Sequence, residues 1–156
     1  KTSVNILKDG ISVFMRDVSL GSNQFSARIV DSAGRSLEEA EDIKLGRLQG
    51  RIEPEVFQNI LRSVVSDWSD EIRRAMDFFY STNPDDVIKK IFLSGGGAYI
   101  KEFREMLASH AAAEVVPINP FEKIATDDRL DSAYLNRMAP QAAIVMGLSI
   151  RKVDDK

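Results

Sequence analysis

The sequence predicts an α/β fold, and three observations carry that expectation. Two β-rich segments separated by Asp9-Gly10 open the chain. A single amphipathic helical stripe then runs from Phe57 to Phe79. Last, the apolar run Ile91-Phe92-Leu93 ends directly in Ser94-Gly95-Gly96-Gly97, ahead of a further helical pattern.

The elements follow in order. Val4 to Leu7 and Ile11 to Val18 read as strands, and Asp9-Gly10 suits a tight turn that needs positive φ, so residues 3–18 form a hairpin. Ser22 to Val30 reads as a helix with Phe25 and Ile29 on one face and Gly34 as its stop. Ser36-Leu37-Glu38-Glu39 is a capping box that starts a second helix, expected to reach Leu45 before Gly46. Pro54 suits the first turn of the longest helix, which Asn83-Pro84 closes. At 1.5 Å per residue that helix is about 40 Å long, enough to cross a domain, and its stripe of Phe57, Ile60, Leu61, Val64, Trp68, Ile72, Ala75, Met76 and Phe79 reads as core. Val87 to Leu93 is expected to be a buried strand. A helix carrying Ile100, Phe103, Met106 or Leu107, and His110 on one side follows, then a short strand at Glu114 to Val116. Pro117 to Asp131 reads as a loop. Pro140 is expected to open a closing helix through Ile150, so apolar that it must pack against other structure.

Bulk properties narrow the function classes. The 156 residues suit one domain, 44 % are hydrophobic and 29 % charged, and the net charge is −3 with both signs mixed. No broad basic field is present to hold nucleic acid, and no polybasic segment to hold an anionic membrane. With no cysteine, disulfides and thiolate metal sites are excluded. No apolar run reaches the roughly 18 residues of a membrane span, so direct membrane insertion is not expected. The opening Lys1-Thr2-Ser3-Val4 enters a strand at once, which reads as a chain cut from a longer one.

The strand–glycine–helix junction is the most informative local feature. Gly95, Gly96 and Gly97 bare the backbone to a ligand, and a helix start offers free N–H groups to a phosphate. The same residues also fit a plain flexible turn. The pattern is neither a Walker loop nor the dinucleotide fingerprint, because no Gly-Lys-Ser/Thr follows and Ile100 stands at the third glycine position. Glu41 and Lys44 are three apart on a helix face, a spacing that a surface ion pair explains fully. His110, the only histidine, reads as a packed or hydrogen-bonded side chain. Asp127, Asp128 and Asp131 lack calcium-loop spacing and read as a solvated loop. Arg73 and Arg74 read as solvent-facing.

Taken in order, these motifs resemble the second half of the PilM-like branch of the actin–Hsp70–hexokinase superfamily. Thr2-Ser3-Val4-Asn5-Ile6-Leu7, Asp9-Gly10 and Phe14-Met15-Arg16-Asp17 resemble its second phosphate hairpin. Gly21, Ala40-Glu41 and Lys44 resemble its Gly and Ala-Glu-x-x-Lys, and Leu93-Ser94-Gly95-Gly96-Gly97-Ala98 resembles its adenosine motif. Asn119-Pro120-Phe121 and Pro140-Gln141-Ala142-Ala143 through Gly147-Leu148 are closer to that branch than to its cell-division relative FtsA. Two departures stand out: the Asp-Ile-Gly-Ala that the family carries ahead of Lys1, and Glu102 where a glycine is common.

The resemblance implies an actin-like (ribonuclease H-like) ATPase half with a central mixed sheet flanked by helices, residues 1–156 being the second (C-terminal) domain. It implies ATP or ADP with Mg²⁺ in the full-length protein, with Gly95, Gly96 and Gly97 at the adenosine and α-phosphate, Glu41 and Lys44 flanking ribose and base, and Thr2 near the phosphates. The glycine turn is then expected to stand open and near Glu41 and Lys44. Without the first domain and its Mg²⁺-organising aspartates, this chain alone is expected to bind nucleotide poorly and to catalyse nothing. The implied role is a cytoplasmic scaffold of type IV pilus assembly, held at the inner membrane by the cytoplasmic tail of PilN and communicating with the pilus motor ATPases. The alternatives are an FtsA-like cytoskeletal protein and a sugar or metabolite kinase. An apolar closing helix left without its first domain is expected to cause self-association.

Overall fold

The structure, a computed structural model, describes residues 1–44, 47, 52–127 and 129–151. Leu45 and Gly46, where the second helix is expected to end, Asp128, and the charged tail beyond Arg151 lie outside the described residues.

The chain opens with β1 (Thr2–Lys8) and β2 (Ile11–Val18), paired antiparallel from Thr2↔Val18 to Lys8↔Ile11 with one register shift between Ile6 and Leu7. Asp9 and Gly10 both hold positive φ, 52° and 79°, the pair of left-handed residues that a two-residue hairpin turn demands. Helix α1 (Asn23–Ala33) stops at Gly34, whose φ of 60° turns its N–H back to the Val30 carbonyl at 2.9 Å. Helix α2 (Leu37–Lys44) starts with the reciprocal bonds of a capping box: the Glu39 N–H donates to Ser36 Oγ at 3.2 Å and the Ser36 N–H to Glu39 Oε2 at 3.1 Å.

Helix α3 (Pro54–Thr82, 29 residues) is the spine. Its stripe from Ile60 to Phe79 is buried, and Phe25 and Ile29 of α1, Ala40 and Ile43 of α2 and Phe103 and Leu107 of the next helix close over it. Burial of each such large apolar side chain contributes about 1.5–3 kcal/mol. Strand β3 (Lys90–Leu93) leads through the glycine turn into α4 (Lys101–Ala111) and then β4 (Glu114–Pro117), which pairs parallel with β3. This is a strand–helix–strand crossover of the kind a parallel pair requires.

Three expectations change here. The α/β class stands, with strands of both senses, but they form two separate two-stranded sheets, β1–β2 and β3–β4, with a cleft between β1 and β3. Strand β3 is not fully buried: Ile91 and Leu93 face inward while Phe92 is exposed, as follows for a strand with only one face packed on the core. The closing helix α5 runs from Ser132 to Ser149, so Pro140 lies inside it rather than at its start. Its N-cap is Asp131, whose carboxylate accepts from the Ala133 N–H at 2.9 Å. The inner face of α5 buries Ala139 and Pro140, while Ile144, Val145 and Leu148 stand exposed, Ile144 at 73 %.

Candidate functional site

The glycine turn is built from β3 outward. After Leu93 the chain must leave the strand, and Gly95 does so at φ 85° and ψ −176°, a conformation essentially reserved for glycine. Its N–H donates to the Pro140 carbonyl at 2.7 Å, and Ser94 Oγ donates to the same oxygen at 3.1 Å. Gly96–Tyr99 then form a 3₁₀ turn, so no α-helix begins directly at the glycines. Helix α4 starts only at Lys101 with Ile100 as its cap, and Glu102 sits in its first turn. The bonds inside the turn begin with Ala98 N–H to the Gly95 carbonyl at 3.2 Å, which leaves the Gly96 and Gly97 N–H groups unpaired within it.

The three glycines face different surroundings. A Cβ on Gly95 or Gly96 would meet nothing within 4 Å, so a ligand can reach both. On Gly97 it would drive into the indole of Trp68, well inside van der Waals contact. Gly97 is therefore bare because an indole packs on it, while Gly95 and Gly96 are bare and open.

Trp68 is the residue that organises this corner. Its indole N–H donates to Thr2 Oγ1 at 2.8 Å, and Thr2 Oγ1 in turn donates to the Leu20 carbonyl at 2.8 Å. Its ring stacks on Phe103 of α4 at 3.8 Å between centroids, with 12° between planes. One side chain thus ties the start of β1, the loop at Leu20, the glycine turn and α4 together. Gly21 beside that loop has its own reason: a Cβ there would lie 2.8 Å from the Lys1 backbone nitrogen. The sequence marks Trp68 only as one apolar position in a helical stripe. The weak signal that could have found it is that a buried tryptophan needs an acceptor for its N–H.

Glu41 and Lys44 do meet. Lys44 Nζ lies 2.6 Å from Glu41 Oε2 and 2.8 Å from Oε1. Ser26 of α1 donates a short hydrogen bond to the same carboxylate. These bonds, that from Lys44 first and that from Ser26 second, hold the Glu41 carboxyl below its ordinary range. The pair is therefore more than a loose surface contact: with Lys44 only 14 % exposed, it seats α2 on α1. The recorded bonds of Glu41 run to α1 and α2, and none joins it or Lys44 to the glycine turn among the described residues.

The remaining candidates have local roles. Asp127 pairs with Arg129 at 2.6 Å and Asp131 caps α5; among the described residues no group of three or more acidic or histidine side chains could hold a metal. Arg73 bridges Asp70 and Asp77 at 3.4 Å each on the outer face of α3, and Arg74 pairs with Glu71. His110 is half-buried at the end of α4, and its Nδ1 is buried with no partner among the described residues. A cavity of about 270 Å³ between α1 and α3 is lined by opposed charges, Arg28 with Asp67 and Arg74 with Glu71.

Comparison with known proteins decides the relationship. A family model described as "Type IV pilus assembly protein PilM" matches residues 1–153. The chain belongs to the PilM family. It also superposes on a solved chain from a PilM–PilN type IV pilus biogenesis complex with a TM-score of 0.80 and 26 % identity, covering 98 % of this chain and 43 % of that one. This PilM-family chain thus spans less than half the length of the solved chain it matches, and has its α/β, actin-like architecture over that portion. The kinship stands on the whole length of the match, and not on the glycine turn alone.

Proposed function

We propose that this chain is the C-terminal domain of a cytoplasmic actin-like ATP-binding scaffold in the inner-membrane assembly complex of type IV pili. The family role in pilus assembly is its foundation. The partner reading rests on the PilM–PilN complex that the fold resembles: the cytoplasmic tail of PilN would hold the protein at the inner membrane, and the pilus motor ATPases would communicate through it.

The observation that favours nucleotide binding is the open bend at Gly95 and Gly96, where no Cβ blocks the backbone and the N–H groups of Gly96 and Gly97 lack partners inside the turn. These residues fit an adenosine and α-phosphate. Gly97 contributes the close packing that holds the bend in place, and Glu41 with Lys44 stiffens the neighbouring helix pair toward ribose and base. When bound, ATP with Mg²⁺ supplies negative charge that draws two domains together. The chain's own part is to offer one wall of the cleft and hold a single relative orientation, a population shift rather than a turnover reaction. The first domain supplies the opposite wall.

Full-length protein incubated with a peptide of the PilN cytoplasmic tail tests this reading. Retention of the peptide, strengthened by ATP, supports it. No retention, together with phosphoryl transfer from ATP to a sugar, would replace it with the kinase alternative. Assembly into membrane-bound filaments without the peptide would favour the FtsA-like one.

A further inference from the structure

The glycine bend is held from three sides. Its entry is fixed by the Pro140 carbonyl, which receives the Gly95 N–H and the Ser94 hydroxyl. Its inner side rests on the Trp68 indole at Gly97. The exit is held by Arg104, whose Nη1 donates to the Ala98 carbonyl at 2.6 Å. The backbone N–H of the same residue donates to the Ile100 carbonyl at 3.2 Å, and so closes the first turn of α4. Arg104 therefore straddles the junction, with its main chain in α4 and its side chain back on the bend.

The bend has little strength of its own. Its internal bonds, Ala98 N–H to the Gly95 carbonyl and Ile100 N–H to the Gly97 carbonyl, are both 3.2 Å long, and 3₁₀ geometry makes such bonds poorer than α-helical ones. Three glycines add backbone freedom that any fixed conformation must overcome. Ala98 is 1 % exposed, so its carbonyl would lose its partner without the arginine. A charge-assisted hydrogen bond is roughly twice as strong as a neutral one, which makes Arg104 the firmest hold on this end of the bend.

Charge gives Arg104 a second property. Lys101, three residues earlier, pairs with Glu105 at 3.5 Å. Arg104 forms no ion pair among the described residues. A neutral donor would satisfy the Ala98 carbonyl as well. An arginine adds a permanent positive charge, which favours an anion nearby.

We propose that Arg104 is the positioning residue of the glycine bend. Its grip on Ala98 keeps the unpaired N–H groups of Gly96 and Gly97 in one orientation for a phosphate, and its charge favours that phosphate. The inference rests on the nucleotide reading above, and assigns Arg104 to the phosphate end of the ligand rather than to its base. The residue acts through the bend, without touching the ligand.

Full-length protein tests this with two variants: Arg104→Met removes donor and charge, and Arg104→Lys keeps both in a different shape. Calorimetry with ADP, and competition by adenosine, read the ligand; amide hydrogen exchange across residues 94–100 reads the bend. Arg104→Met is expected to weaken ADP about tenfold, to leave adenosine within about twofold, and to speed exchange of the bend. Arg104→Lys recovers most of both losses. Unchanged ADP affinity in Arg104→Met overturns the proposal. An equal loss for adenosine and ADP also overturns it, because an arginine that merely supports the fold affects both ligands alike. If the unaltered protein binds neither ligand, the nucleotide reading falls and takes the phosphate with it. Faster exchange in Arg104→Met then still supports the hold on the bend, and unchanged exchange overturns it.

Discussion

The indole N–H of Trp68 donates to Thr2 Oγ1 at 2.8 Å across 66 residues of sequence, and the same ring fills the space that a side chain on Gly97 would need. The strand that opens the chain and the bend that carries the open glycines are therefore registered against one side chain.

Trp68→Phe retains an aromatic ring to stack on Phe103 but removes the donor, and is expected to cost about 1 kcal/mol. Trp68→Ala removes the stack and leaves a cavity in the core, at about 3–5 kcal/mol. Urea denaturation of the two variants measures the difference. Equal losses would mean that the hydrogen bond and the ring cannot be separated as described.

The glycines should divide by the same test. Gly97→Ala destabilises by about 1–3 kcal/mol, because Trp68 is held by Thr2 and Phe103 and cannot step aside. Gly95→Ala costs about 1–3 kcal/mol through its φ of 85° alone. Gly96→Ala leaves stability nearly unchanged; under the nucleotide-binding role we propose, it lowers only the affinity of the full-length protein for ATP, read by calorimetry. A stable Gly97→Ala would contradict the packing.

Glu41 makes a pH prediction with a definite sign. Its folded carboxyl is held below the ordinary value of 4.5, mainly by the Lys44 hydrogen bond and next by Ser26. The stability it contributes is therefore fully present above that value and is lost as pH falls through the lower, folded one. Glu41→Gln should flatten this acid limb of the urea midpoint, and solvent exposure of the carboxylate keeps the change modest. An unaltered acid limb would remove the pair from the account.

The outer face of α5 predicts association. Ile144 and Leu148, 73 % and 59 % exposed and one helical turn apart, form an apolar patch with no cover among the described residues. Residues 1–156 should show a concentration-dependent sedimentation coefficient that the double variant Ile144→Glu, Leu148→Glu abolishes. A monomer at high concentration would show that the patch is inert.

What was legible in the sequence follows the range of the signal. Asp9-Gly10, the Ser36–Glu39 box, Gly34 and the stripe of α3 are local patterns with local causes, and each appears in the structure where the sequence places it. Pro140 suits a first turn, yet it lies inside α5, which starts at Ser132. Asp131, which reads in the sequence as part of a solvated loop, caps the helix instead, and Asp131→Ala should cost about 1 kcal/mol of stability. The 3₁₀ turn after Gly95, the packing of Gly97 on Trp68 and the division of the sheet depend on partners far along the chain. No spacing rule carries that information.

One carbonyl gives α5 a second task. Pro140 sits midway along that helix, and its oxygen receives both the Gly95 N–H and the Ser94 hydroxyl. A neighbour that grips Ile144 and Leu148 therefore pulls, through a single atom, on the mouth of the bend. The rod acts as a lever, with its handle in solvent and its load at Gly95.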